Sequence, residues 1–195
     1  MKNYFRISVI LGSIALVCAI ILAALNMLTA PIIAQNAEKK ETETIQAIYK
    51  NYDSEKSENV TNTVTNSSIT KKIIAKNSDG VVIGTLYIVT GKNAYGVITL
   101  MVAIAPNNSV HQVEFLENGQ SFAGTVNTHV KSNYGSSKEE VYELNPYSSK
   151  KSVEIGDLTK DQVNAIDVKC GATFGATLVK ELVNIALSDA MKGGK

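Results

Sequence analysis

The stretch that decides the fold is residues 81–105, VVIGTLYIVTGKNAYGVITLMVAIA. It is rich in β-branched and aromatic residues, and the small polar segment Gly91-Lys92-Asn93 divides it in two. Runs of this composition favour strands, and small polar residues between them favour a turn. We therefore predict two antiparallel strands with their turn at Gly91–Asn93. The second strand, Tyr95 to Ala105, is predicted to be the more deeply buried.

The flanking residues extend this pair to a four-stranded sheet. Upstream, KIIAK at 72–76 is followed by Asn-Ser-Asp-Gly at 77–80, which is typical of a tight turn. Downstream, Pro-Asn-Asn at 106–108 leads to the alternating run VHQVEFL at 110–116. Short connections between consecutive strands require antiparallel neighbours, so the sequence predicts an antiparallel meander.

The remainder of the chain has helical patterns. A helix is predicted over 126–134, a loop or helix start over 136–140, a turn or short helix over 158–163, and a short edge strand over 163–168. A last helix begins near Thr173, because apolar residues follow at the i, i+3, i+4, i+7 spacing of one buried face. Those residues are Leu178, Val179, Leu182, Val183, Ile185, Ala186 and Leu187. The predicted fold class is α+β, with helices packed on one side of the sheet.

An apolar segment at the N-terminus predicts a membrane anchor. Residues 7–25, ISVILGSIALVCAIILAAL, carry no charged side chain. As a helix they would span roughly 28 Å, close to the thickness of a hydrocarbon core. A signal peptide usually has a shorter apolar region and a small-residue cleavage site, and a lipoprotein would need a small residue before Cys18. We therefore expect an uncleaved single-pass anchor.

The polar segments around the anchor give its expected orientation and the domain plan. Lys2 and Arg6 precede the apolar run, and the positive-inside rule then favours a cytoplasmic N-terminus and an extracytoplasmic C-terminal domain. We predict an anchor over 1–35, a helix and polar linker over 36–70, and a globular domain over 71–195. Within the linker, residues 51–70 are rich in Asn, Ser and Thr and are expected to form a solvated loop.

Composition excludes several functional classes. The net charge is +1 with scattered basic residues, so no surface for nucleic acid is predicted. Two cysteines, Cys18 and Cys170, do not suffice for a disulfide framework, a haem site or an iron–sulfur cluster. His111 and His129 are too far apart in sequence to suggest zinc, and we expect no metal site. No nucleophilic triad or general acid is visible, so no catalytic residue is predicted.

The segment with the most chemical character is residues 167–179, DVKCGATFGATLV. A helix start exposes unpaired N–H groups and the positive end of the helix dipole, which suits an anionic group such as phosphate. Gly171 permits close backbone approach, Ala172 keeps the entrance small, and Thr173 supplies a hydroxyl. The spacing alone favours a simpler interpretation, in which Thr173 caps the helix and nothing binds.

A family resemblance favours the chemical interpretation. D-x-x-C-G-A-T at 167–173 closely resembles D-x-x-[S/T]-G-A-T, the flavinylation motif of the FMN-binding domain. That domain occurs in the RnfG subunit of the Rnf ion-translocating complex and in a related subunit of the Na⁺-translocating NADH:quinone reductase. Residues 26–34 resemble the N-x-x-T-x-P-x-I-A exit of the RnfG subunit, 95–98 resemble the family's Y-G-G-x-I segment, and 117–124 fall where the family has E-x-T-P-G-L-G. Cys170, Val97 and Gly175 depart from the family pattern.

The resemblance implies a definite site. Thr173 would be the acceptor of a phosphoester bond to FMN, made by a separate ApbE-type flavin transferase that uses FAD and Mg²⁺. Asp167 would belong to the recognition signal. Gly171 and Ala172 would line the phosphate end, with Cys170 in the same motif. Glu117 and Ser121 are further candidates for the flavin neighbourhood, although both also fit a polar turn after a strand.

The implied function is electron relay by a membrane-anchored flavoprotein. It would pass electrons between other membrane subunits of an Rnf-type complex, as an electron-transfer subunit and not a self-contained enzyme. Two alternatives stay open: a module that binds a flavin or another phosphate ligand without redox work, and a stand-alone extracytoplasmic electron-transfer protein. A pilin-like protein is disfavoured, because the first 25 residues lack the early glutamate that pilin processing requires.

Overall fold

The computed structural model describes residues 2–64, 66–135 and 156–192. These belong to two compact units, Met1–Thr42 and Glu43–Lys195. The loop or helix start predicted over 136–140 lies outside the described residues. The predicted boundaries at 35 and 70 stay predictions.

Helix α1 runs from Lys2 to Ile48 and contains Pro31. The sequence predicts a membrane helix followed by a separate short helix from residue 36, whereas the structure has one continuous helix. Its apolar side chains between Ile7 and Ile33 are exposed on all sides. Among the described residues this is the one helix long and apolar enough to cross a membrane. An all-round apolar surface without a covering core is what a lipid-embedded helix presents.

A five-stranded sheet forms the centre of the second unit. Its strands follow in chain order with antiparallel neighbours throughout. They are β1 Glu58–Asn59, β2 Ile69–Lys76, β3 Val82–Asn93, β4 Gly96–Ile104 and β5 Val110–Asn118. The predicted four-stranded antiparallel meander is therefore confirmed as β2 to β5, and the α+β class with it.

The extra strand β1 lies in the region predicted as a solvated loop. Glu58 pairs with Ile74 and Asn59 with Ile73, and a 3₁₀ turn at Thr61–Thr63 follows. Both residues of β1 are polar and exposed at this edge of the sheet, and the Glu58 side chain forms an ion pair with Lys76 of β2. That is why composition alone marks these residues as loop.

The turn between β3 and β4 lies later than the sequence predicts. Gly91 pairs with Ile98 inside the strands, and the chain reverses at Ala94 and Tyr95. A Cβ at Gly91 would stand 2.9 Å from Leu178 and 3.0 Å from the nearest atom of Leu182. Gly91 therefore marks the close approach of a helix to the sheet, and its interpretation as a turn residue is wrong.

Among the residues that the structure describes, three helices follow the sheet: α2 Ala123–Asn133, α3 Lys160–Ala165 and α4 Thr173–Lys192. The edge strand predicted over 163–168 is wrong, because Thr159 and Gln162 form a capping box that starts α3. Leu158, just before this box, exchanges two 2.8 Å backbone hydrogen bonds with Val110 of β5. In the part of the chain that the structure describes, strand-like pairing of this segment with β5 is thus one isolated bridge.

Apolar residues cover both faces of the sheet, and the helices α2, α3 and α4 pack on one of them. Alternate strand residues point to opposite faces, and each face has its own cluster. One cluster joins the strands to α2, α3 and α4 and includes Tyr87, Leu100 and Val183. The other joins Leu86 and Met101 to the C-terminal end of α1 through a short set of apolar residues. That set is Ile45, Ile48 and Tyr49.

A buried ion pair ties α4 to two strands. Lys72 of β2 contacts Asp189 of α4 at 2.7 Å, and the Tyr87 hydroxyl donates to the same carboxylate oxygen at 3.2 Å. The Lys72 ammonium also lies 5.3 Å from the centre of the Tyr87 ring. Burial and the neighbouring Asp189 carboxylate raise the pKa of Tyr87. The network fixes the C-terminal part of α4, and apolar packing on β3 and β4 fixes the rest.

Candidate functional site

The start of α4 carries the motif residues 171–173. The first hydrogen bond of the helix joins the Ala176 N–H to the Ala172 carbonyl at 3.1 Å. The N–H groups of residues 173–175 precede that bond and, as at any helix start, have no carbonyl of their own helix to reach. Helix α4 is 20 residues long, so its dipole places partial positive charge at this end.

Thr173 is the first residue of α4, and its side chain is exposed. Its hydroxyl donates a 2.9 Å hydrogen bond backward to the Cys170 carbonyl. A capping threonine would instead accept an N–H from the residues that follow it. Thr173 therefore differs from the simple helix cap that its spacing favours. Its hydroxyl lies at the surface and is accessible to a reaction partner.

The tip of the β3–β4 hairpin reaches the same place from the sheet. Tyr95 stacks on Phe174 with ring centroids 5.3 Å apart and planes 27° apart. The Asn93 side chain donates to the Phe174 carbonyl at 3.1 Å. The hairpin tip is thus joined to the first turn of α4 by one ring contact and one hydrogen bond.

The loop after β5 completes the site. Ser121 donates its N–H to the Tyr95 carbonyl at 3.1 Å, which holds the loop against the hairpin tip. Gln120 is only 7% exposed, and its Nε2 donates to the Gly96 carbonyl at 2.8 Å and to Asn93 Oδ1 at 3.1 Å. The hairpin, the loop and the helix start therefore form one hydrogen-bonded assembly.

These three segments enclose a cavity of about 240 Å³. Two of its rings are largely open to solvent, Phe174 at 66% and Phe122 at 59%, and Tyr95 is 43% exposed. The lining residues carry no charged side chain. They are Tyr95, Gln120, Phe122, Val126, Gly171, Ala172, Thr173, Phe174 and Gly175. Exposed aromatic rings around a small neutral cavity suit a flat apolar ring system at the positive end of a helix.

The structure brings part of the predicted site together. Gly171, Ala172 and Thr173 line the cavity. Ser121 adjoins it through Tyr95, while Glu117 is exposed near the end of β5, where it pairs with Thr99.

Asp167 and Cys170 lie just before the cavity lining. Asp167 Oδ1 accepts the Lys169 N–H at 2.9 Å and so shapes the turn into the motif. The Cys170 carbonyl holds the Thr173 hydroxyl, and its side chain is half-buried. Both residues therefore set the path of the backbone into the helix start.

A buried histidine lies within electrostatic reach of the motif. His129 of α2 is buried, and burial lowers the pKa of its imidazole, while the Asp167 carboxylate acts in the opposite direction. Its Nδ1 lies 3.4 Å from the Asn133 amide nitrogen, and its Nε2 has no hydrogen-bond partner in the described part of the chain. The sequence gives no sign of this arrangement, because residue 129 is 38 positions away from the motif.

Sequence reasoning did not assign Tyr95, Gln120, Phe122 and Phe174 to the site. Phe174 directly follows Thr173, and the other three fall in segments that resemble the family. The sequence therefore contained a signal for each of the four residues. What the sequence lacked was the hairpin register, which decides that Tyr95 and not Gly91 stands at the tip.

Residues 1–48 match the family model described as the RnfG N-terminal region. The match supports the predicted resemblance to the RnfG subunit over these 48 residues. Together with the apolar surface of α1, it indicates a membrane protein with one membrane-spanning helix among the described residues. Comparison with the curated proteins finds no significant match.

Proposed function

We propose that this RnfG-like, membrane-anchored protein holds FMN in phosphoester linkage to Thr173 and relays electrons within an Rnf-type ion-translocating complex. The observation that carries the proposal is the position of one exposed hydroxyl. Thr173 Oγ1 lies at the N-terminus of a 20-residue helix and at the mouth of a cavity bordered by exposed aromatic rings.

The residues present fit the two ends of that cofactor. A phosphate at Thr173 would lie beside the free N–H groups at the positive end of α4. An isoalloxazine ring would find Tyr95, Phe122 and Phe174 to stack against, and none of the described lining residues is charged. When bound, the flavin supplies the redox chemistry, and the chain supplies its position and its surroundings.

Attachment would require a partner enzyme. An ApbE-type flavin transferase would form the bond between Thr173 Oγ1 and the FMN phosphorus of FAD. The phosphoanhydride bond of FAD breaks, AMP leaves, and the threonine hydroxyl loses its proton. The exposed hydroxyl is accessible to such an enzyme once its hydrogen bond to the Cys170 carbonyl breaks.

The orientation of the membrane anchor would decide on which side of the membrane the globular domain lies. The basic residues before the apolar segment favour a cytoplasmic N-terminus, which would put the flavin domain on the outer side of the membrane. A covalent bond would retain there a cofactor that otherwise diffuses away. Helix α1 would contact lipid, and other membrane subunits would donate and accept the electrons.

The test is in-gel flavin fluorescence. The full chain, made together with a flavin transferase, is expected to give a fluorescent band after denaturing electrophoresis, and Thr173→Val should abolish it. Thr177→Val is the matched control, because Thr177 lies one turn later on α4 and donates its hydroxyl to the Thr173 carbonyl at 2.8 Å. The control should stay fluorescent. A dark wild-type band, or a fluorescent Thr173→Val band, would overturn the proposal.

A further inference from the structure

Gln120 places an amide against the cavity in a fixed orientation. It is more than nine-tenths buried, and its Nε2 lies 2.8 Å from the Gly96 carbonyl oxygen and 3.1 Å from Asn93 Oδ1. A backbone carbonyl only accepts hydrogen bonds, so the atom facing Gly96 must be the donor nitrogen. The amide oxygen Oε1 is thereby turned away from the hairpin.

The oxygen faces the first turn of α4. Oε1 of Gln120 lies 3.3 Å from the place where a Cβ on residue 175 would stand, and Gly175 leaves that place empty. Both residues line the cavity. Among the described residues no group donates a hydrogen bond to this oxygen. The oxygen atom itself is open to the cavity and not sealed from solvent, so a ligand that brings an N–H can donate to it in place of water.

We propose that Gln120 Oε1 accepts a hydrogen bond from the ring N3–H of the bound flavin and so determines which edge of the ring enters the cavity. The inference rests on the proposed function. The oxidised isoalloxazine ring has one N–H donor, N3–H on its pyrimidine edge, and its other polar ring atoms are acceptors. A cavity of about 240 Å³ is smaller than typical ligand sites of roughly 300–1,000 Å³, so it takes one edge of the ring and not the whole.

The experiment measures how readily the bound ring loses its N3 proton. A hydrogen bond to the neutral N–H form disfavours ionisation and raises the pH of the alkaline absorbance transition. The flavinylated full chain in detergent is titrated as wild type, Gln120→Met and Gln120→Glu. Gln120→Met removes the acceptor and should lower the transition by about half to one pH unit. Gln120→Glu supplies a carboxylate acceptor and should raise it by at least as much.

The two variants separate the inference from a structural effect. Both lose the Nε2 hydrogen bonds to Gly96 and Asn93, so simple loosening of the loop would move both transitions in the same direction. Opposite shifts support the inference, and shifts of the same sign, or no shift, overturn it while the proposed function stands. A chain that takes up no flavin overturns the proposed function, and this inference with it.

Discussion

Tyr95, at the tip of the β3–β4 hairpin, stacks on Phe174 in the first turn of α4, with 5.3 Å between ring centroids. The two residues are 79 positions apart in the chain. Their contact makes the sheet and the last helix into neighbours at the cavity. The site therefore depends on the packing of the whole domain and not on the motif alone.

This contact should be measurable as a coupling energy. In a double-mutant cycle with Tyr95→Leu and Phe174→Leu, we expect a coupling of about 0.5–1.5 kcal/mol in the free energy of unfolding, the usual range for an aromatic pair. Urea unfolding of the full chain in detergent provides the measurement. Strictly additive effects of the two substitutions would show that the stack contributes nothing.

At position 175 even the methyl side chain of alanine is expected to destabilise the domain. A Cβ there would stand 2.6 Å from Val126 Cγ2, so Gly175→Ala overpacks the contact between α2 and α4. Overpacking typically costs about 1–3 kcal/mol, and the higher helix propensity of alanine returns at most about 1 kcal/mol. We expect a net destabilisation of about 1 kcal/mol by urea unfolding.

The control for that substitution is Gly124→Ala in the first turn of α2. A Cβ at this position would meet no atom of the described residues within 4 Å. Gly124→Ala should therefore be neutral or stabilising by up to about 1 kcal/mol. Equal effects at the two glycines would contradict the packing argument.

Removing only one partner of the Lys72–Asp189 ion pair should strongly lower the free energy of unfolding. Lys72→Met leaves the Asp189 carboxylate buried beside Tyr87 without its cation, and we expect a loss of about 3–5 kcal/mol of stability. Adding Asp189→Leu should recover most of that loss, because two apolar side chains can replace a buried pair. Thermal unfolding of the two variants decides it: a double variant less stable than Lys72→Met alone would refute the prediction.

His129 should make stability depend on pH in one direction. Its pKa is lowered by burial, so the unfolded chain binds the proton more readily than the folded one. The stability due to the neutral imidazole is complete above the unfolded pKa of about 6.5 and is lost as the pH falls through the lower folded pKa. We expect the urea midpoint to drop between about pH 7.5 and pH 5. His129→Gln should flatten this drop, and an unchanged slope would assign it to other groups.

The orientation of the anchor can be read by surface labelling. Glu55 is exposed in the globular unit, and Tyr4 is exposed near the start of α1. In intact cells a membrane-impermeant maleimide should label Glu55→Cys, and it should label Tyr4→Cys only after lysis. The wild-type chain, with Cys18 and Cys170, gives the background. The reverse pattern would place the domain in the cytoplasm.

The sequence predicts elements whose side chains carry the signal. β-branched runs identify β2 to β5, and helical spacing identifies α4, because packing demands those residues at those intervals. Strand β1 escapes prediction, because its two residues are polar and exposed and give no apolar pattern. Gly91 is misleading, because a glycine needed for a close helix approach looks identical to a glycine needed for a turn.

The residues of the candidate site also fall into those that a local sequence pattern predicts and those that it does not. Gly171, Ala172 and Thr173 are consecutive, and one quoted motif is enough to select them. Gln120 and Tyr95 reach the cavity from segments about 50 to 80 residues away, through a hairpin register that no local pattern specifies. Likewise, no local pattern specifies that Ile45 and Ile48 cover one face of the sheet.

The placement of Thr173 on α4 has a mechanical consequence. Nine of the residues in this helix are buried, and Lys72 clamps its far end through Asp189. A group attached covalently to Thr173 Oγ1 would therefore be held by the packed core of the domain and not by a flexible loop. Apart from rotation about the bonds of its own linkage, such a group can change its position only when the whole domain moves.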